Sequence, residues 1–137
     1  MRDGRSIRFE FKPPKLQVWP VPRVQLTTIL RNIAQNAIQA MPSGGTLEMN
    51  VNVDDSYAKI AIVDTGVGLP DEAKSRVFEP FWTTRSGRFE VGGSMGMGLA
   101  IAHGLARVIG ATILMDSQLG KGSTFTVILP RPAIQPS

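Results

Sequence analysis

The sequence predicts an α+β fold, a two-layer sandwich with helices on one face of a mixed sheet of about five strands. Three observations carry it. Arg23 to Met41 and Met97 to Ile109 repeat apolar residues at helical spacing. Shorter runs, Thr46 to Val53 and Ser123 to Leu129 among them, alternate apolar and polar residues at strand spacing. The chain has 137 residues, 42% hydrophobic and 19% charged, which suits a single globular domain spanning 1–137 with its core between about residues 6 and 130.

Ile7, Phe9 and Phe11 alternate with Arg8 and Glu10, a half-buried strand, and a short strand from Leu16 to Trp19 is expected to pair with it after Pro13-Pro14. Pro20 and Pro22 stop extension. Leu26, Ile29, Leu30, Ile33, Ala37 and Ile38 then mark the amphipathic stripe of the first long helix, broken by Pro42-Ser43-Gly44-Gly45. Thr46 to Val53 and Tyr57 to Val63 form an antiparallel hairpin across the Asp54-Asp55-Ser56 turn. Asp71 to Val77 reads as a short helix capped by Asp71. Glu79 to Met95 has glycines and little periodicity, and is expected to be a mobile functional loop. The second long helix ends at Gly110, strands Thr112 to Ser117 and Ser123 to Leu129 follow, and Pro130 to Ser137 reads as a frayed tail.

Composition excludes several classes of function. The chain has no cysteine and one histidine, so disulfides and thiolate metal sites are out and a zinc site is not expected. The net charge of +4 comes from Lys and Arg spread along the chain without a basic run, a mildly basic surface and no nucleic-acid partner. No apolar run approaches the roughly 20 residues needed to cross a bilayer, and the N-terminus has no signal-peptide core. The expectation is a cytoplasmic chain, either free or the cytosolic part of a membrane-bound receptor, with no membrane contact of its own.

Several residues are set out for chemistry. Asn32 and Asn36 are four apart, so their amides project from one helix face. An amide carbonyl suits Mg2+ carried by a triphosphate, since it is a hard oxygen without a carboxylate's repulsion from phosphate. Asp64 ends an apolar strand and needs a partner. As an acceptor it would pair with the exocyclic amine of adenine, whereas guanine places a carbonyl there. Gly66 and Gly68 remove side chains where a base must approach backbone, and an Asx-type turn closed by Asp64, with both glycines at positive φ, accounts for them equally. Gly96, Met97, Gly98 and Leu99 open the second long helix, whose N-terminal amides suit an anion. The fork of Arg85, after Thr83 and Thr84, suits phosphate, and Arg88 lies in the same loop.

In order, the segments Asn32-Ile-Ala-Gln-Asn36-Ala37, Asp64-Thr-Gly66-Val-Gly68, Phe78-Glu-Pro-Phe81-Trp-Thr-Thr-Arg85, Gly96-Met-Gly98-Leu99 and Gly120-Lys-Gly122-Ser-Thr-Phe125 resemble the N, G1, F, G2 and G3 boxes of the ATP-binding catalytic domain of bacterial sensor histidine kinases. That domain belongs to the wider family that includes DNA gyrase and the MutL-type ATPases. The resemblance implies a Bergerat-type ATP-binding fold holding Mg2+ and ATP, with Asn36 as the metal ligand, Asn32 beside it, and Thr84 and Arg85 toward phosphate. It makes 79–95 an ATP lid, anchored by Phe78 and Phe81, and puts Ser123 in a Gly-Thr position, where its hydroxyl could bond Asp64 or a water beneath adenine. Ser94 and Met97 depart from the usual Gly-x-Gly-Leu-Gly-Leu pattern of the G2 box. Gyrase-type members carry a water-activating Glu where this chain has Asn32, which favours phosphate transfer over hydrolysis.

The resemblance further implies that the γ-phosphate goes to a histidine on a separate dimerisation and phosphoacceptor domain of the same kinase, and from there to a response regulator. His103 lies downstream of the glycine loop and is read as an ordinary helix position. The catalytic residues implied are Asn32 and Arg85. An anti-sigma-factor-like serine protein kinase and a nucleotide-binding module without kinase activity are the alternatives.

Overall fold

A computed structural model describes residues 7–12, 22–74 and 98–130 of the chain. The elements are β1 (Ile7–Lys12), α1 (Arg23–Gln39), β2 (Gly45–Val53), β3 (Tyr57–Asp64), α2 (Asp71–Lys74), α3 (Gly98–Ile109), β4 (Thr112–Gln118) and β5 (Gly122–Pro130). The strands form one sheet in the order β1-β2-β3-β5-β4, with β1 parallel to β2 and every other neighbour antiparallel. The sheet is therefore mixed, as predicted. A parallel pair cannot be joined by a tight turn, and α1 belongs to the crossover between β1 and β2. The strand expected from Leu16 to Trp19 lies outside the described residues.

One face of the sheet is apolar and both long helices cover it. Ala58, Ile60, Ile62 and Asp64 of β3 are buried at every second position, opposite Leu129, Val127, Phe125 and Ser123 of β5. Ile29, Ile33 and Ala37 of α1 and Leu99, Ala102 and Ala106 of α3 close over them in one core cluster. The spacing of three or four in the helices and two in the strands meets on this surface. On the other face, Tyr57 and Lys59 of β3 and Thr112, Leu114 and Asp116 of β4 are exposed.

Element ends follow local bonding. α1 stops at Gln39, two residues before the predicted end, because Ala40 and Met41 turn away. Met41 is buried in the core, and the Ala40 carbonyl accepts the N–H of Val67 at 2.9 Å. α3 ends at Gly110 with φ +78, where Ala111 N–H donates to Ala106 and Gly110 N–H to Arg107. In the β2–β3 turn, Asp54 Oδ1 accepts the N–H groups of Ser56 and Tyr57, both at 2.7 Å. These bonds hold the Asp54 carboxyl below its ordinary pKa. Asp71 is not the cap of α2 but its first residue. Its carboxylate meets Lys74 at 3.2 Å, and Pro70 supplies the carbonyl for Ala73 N–H. Residues 75–77 of the predicted helix lie outside the described residues.

Candidate functional site

Asp64, Ser117 and Ser123 are the buried polar side chains among the described residues, and they meet at one end of the sheet. β3, β4 and β5 carry them there, because register sets Asp64 opposite Ser123 and Ser123 opposite Ser117 on the helix-covered face. Asp64 is only 3% exposed. Its Oδ1 accepts the N–H of Gly66 at 2.8 Å and that of Ser123 at 3.3 Å. Oδ2 takes no hydrogen bond from another described residue. Burial pushes the Asp64 carboxyl above its ordinary pKa, against the downward pull of the Gly66 and Ser123 amides. The group is an ionisable acceptor at a cost, the state that a hydrogen-bond donor from a ligand relieves.

The Asp64–Gly66 bond is the Asx turn expected from sequence. Of the two glycines, only Gly68 has positive φ, at +70. The close approach that excludes their side chains is made by the chain's own backbone. A Cβ on Gly66 would run into the carbonyl oxygen of Ala40, and one on Gly68 into that of Gln118. The loop after β3 is thus clamped between the end of α1 and the β4–β5 turn. Two bonds complete the clamp: Gly120 N–H donates to Val67 O at 2.8 Å and Leu69 N–H to Ser117 Oγ at 2.8 Å.

Ser123 does meet Asp64, but through its backbone N–H. Its hydroxyl lies 2.8 Å from Ser117 Oγ. Ser117 carries no expectation from sequence. Its signal was a polar residue continuing the alternation of Ile113 and Met115 on the inward face of β4. Asp64, Ser117 and Ser123, with Leu69 and Lys74, line a cleft of about 730 Å3.

Asn32, Asn36 and Ala40 follow one another along one face of the α1 segment, about 6 Å apart along the axis. At one end a Cβ on Gly98 would lie 3.8 Å from Asn32 Cβ, so the start of α3 abuts Asn32. At the other end Ala40 holds Val67. Asn36, half-buried, lies between them. The structure thus joins Asn32 to the N-terminus of α3 and Asp64 to Gly66 and Ser123, with α1 running from one group to the other. Leu99 packs its side chain in the core. His103 is half-buried within α3. Thr84, Arg85, Gly96, Met97, and with them Phe78, Phe81, Thr83, Arg88, Ser94 and the expected lid over 79–95, lie outside the described residues.

On this mixed α+β sheet a buried carboxylate thus lies near one end of α1, and the amide-bearing Asn32 lies against the N-terminus of α3. The family model for the histidine kinase-, DNA gyrase B-, and HSP90-like ATPases matches residues 22–133, and the chain belongs to that family. It is 35% identical over 131 residues to the sensor kinase CckA of Brucella abortus (strain 2308), and 35% identical over 132 residues to the sensor histidine kinase ZraS of Escherichia coli (strain K12). Those matches take in 83% and 93% of this chain but 13% and 26% of the relatives, so the chain corresponds to a minor part of each. The solved structure of the mycobacterial sensor histidine kinase MprB superposes with a TM-score of 0.73 at 26% identity, over 93% of this chain and 84% of that one. The fold is that of sensor histidine kinase catalytic domains, and the family is one of ATP binders. Among the described residues, no helix is long and apolar enough to cross a membrane.

Proposed function

We propose that this chain binds ATP with Mg2+ and donates the γ-phosphate to a histidine carried on a separate dimerisation domain of the same kinase, which in turn supplies a response regulator. The observation that carries the reading is Asp64, a buried carboxylate with one oxygen spent on backbone amides. In a family of ATP binders, such a residue reads the amine of adenine.

The residues present fit Mg2+ with a triphosphate. Asn36 supplies a neutral hard oxygen, Asn32 lies against Gly98, and the glycine at the start of α3 leaves its amides open to an anion. When bound, the metal neutralises phosphate charge. Asn32 and Asn36 would orient the phosphate end and Asp64 and Ser123 would fix the base, while Arg85 and Thr84, outside the described residues, are assigned to phosphate by the family resemblance alone. With no carboxylate at Asn32 to activate water, the domain holds the phosphate for an acceptor.

The test supplies radiolabelled ATP and Mg2+ to the chain alone and then with a phosphoacceptor domain in trans. Label is expected on the acceptor histidine only when that domain is present. Label on His103 of the chain alone, or on a serine of a protein partner with none on histidine, would contradict the proposal.

A further inference from the structure

The hydrogens around Ser117 can be placed by counting. Its Oγ lies 2.8 Å from the Leu69 nitrogen, 3.2 Å from the Gly122 carbonyl oxygen and 2.8 Å from Ser123 Oγ. A serine hydroxyl has one hydrogen and two lone pairs. The Leu69 N–H is a donor and occupies one lone pair. The Gly122 carbonyl can only accept, so it takes the single hydrogen. What Ser117 has left is a lone pair, and the hydrogen on the third contact has to come from Ser123. The reverse arrangement turns a Ser117 lone pair toward the Gly122 carbonyl oxygen, an acceptor facing an acceptor at 3.2 Å.

This assignment fixes what Ser123 shows to the cleft. Its hydrogen is committed to Ser117, and its Oγ keeps lone pairs alone. Asp64, beside it, has no hydrogen to donate when ionised and is then an acceptor alone. We propose that Ser117 is a specificity-positioning residue: by taking the Ser123 hydrogen it makes this end of the cleft a set of acceptors, selecting a base that carries a donor, the exocyclic amine of adenine, over one that carries a carbonyl. The inference rests on the adenine reading of Asp64 given above. Ser117 touches no ligand in this account and acts through Ser123. Without it, the Ser123 hydroxyl is free to rotate and donate, and a carbonyl at the same place gains a partner.

Calorimetry with ADP and with inosine diphosphate, which has a carbonyl in place of the amine, tests this. In Ser117→Ala the ratio of ADP to inosine diphosphate affinity is expected to fall about tenfold, the size of one hydrogen bond changed in sign. The same substitution in a Ser123→Ala background is expected to leave the ratio unchanged, and Ser117→Thr, which restores the hydroxyl, to return it to the parent value. Equal loss for both nucleotides in Ser117→Ala would show a merely structural role and overturn the proposal. Should Ser117→Ala not fold, Ser123→Ala alone reads the polarity. It should weaken ADP more than inosine diphosphate, and the opposite order would overturn the assignment. A parent protein with no preference, unaltered by Asp64→Asn, would instead remove the adenine reading beneath this inference. A preference abolished by Asp64→Asn yet untouched by Ser117→Ala would remove the role of Ser117 alone.

Discussion

The N–H of Val67 donates to the carbonyl of Ala40 at 2.9 Å, so the end of α1 holds the loop that follows Asp64. The contact is close enough to exclude a side chain from the neighbouring glycine, and the amide face of α1 is thereby tied in position to the buried carboxylate.

Two glycine substitutions should move stability in opposite directions. A methyl group on Gly66 meets the Ala40 backbone, which cannot swing aside as a flexible side chain would, and Gly66→Ala is expected to cost about 1–3 kcal/mol. Gly104, within α3, has open space around its missing Cβ, and Gly104→Ala should add about 0.5–1 kcal/mol through helix propensity. Urea unfolding with an unchanged slope checks both. A tolerated Gly66→Ala would mean that the clamp is looser than described.

Asp54 and Asp64 should titrate on opposite sides of the ordinary aspartate value. Backbone N–H groups favour ionised Asp54, while burial disfavours ionised Asp64. For Asp64, the native state keeps its proton where the unfolded chain has lost it, so its contribution to stability declines as pH rises from the unfolded value through the raised native one. For Asp54, stability present above the unfolded value is lost as pH falls through the lowered native one. Carboxyl NMR titration of the nucleotide-free chain reads both midpoints. Asp64 titrating below Asp54 would contradict this environment.

Asn36→Ala should weaken Mg2+-dependent ATP binding about tenfold and leave metal-free adenosine binding nearly unchanged, because the proposed ligand bonds the metal, and the metal bonds phosphate and not the base. Calorimetry with the two ligands measures it. An equal loss for both would return Asn36 to a structural role.

The sheet and both long helices were legible because their apolar residues repeat at periods that burial enforces, as at Ile29, Ile33 and Ala37, or Phe125, Val127 and Leu129. Asp64 was legible for the same reason, as a carboxylate at the end of an otherwise apolar alternation. Ser117 was not, since one serine in a strand has many innocent readings, and only the register with Ser123 reveals its partners. Sequence places Gly66 where a base approaches backbone, while its close approach to Ala40, between residues 26 positions apart, is one that no local pattern encodes. Asp71 was read as a cap because Asp favours that place, but Pro70 already occupies the turn before the helix and leaves Asp71 inside it.

Whether Asp64 reads adenine is measured most directly by nucleotide selectivity. Titration calorimetry of the parent chain and of Asp64→Asn with ATP and with GTP, in Mg2+, gives four affinities. The parent is expected to prefer ATP. Asp64→Asn is expected to lose at least about tenfold for ATP and little for GTP, since an amide can turn a donor toward the base, so that most of the preference disappears. A parent that binds both nucleotides alike, or a variant that keeps the full preference for ATP, would contradict the adenine reading of Asp64.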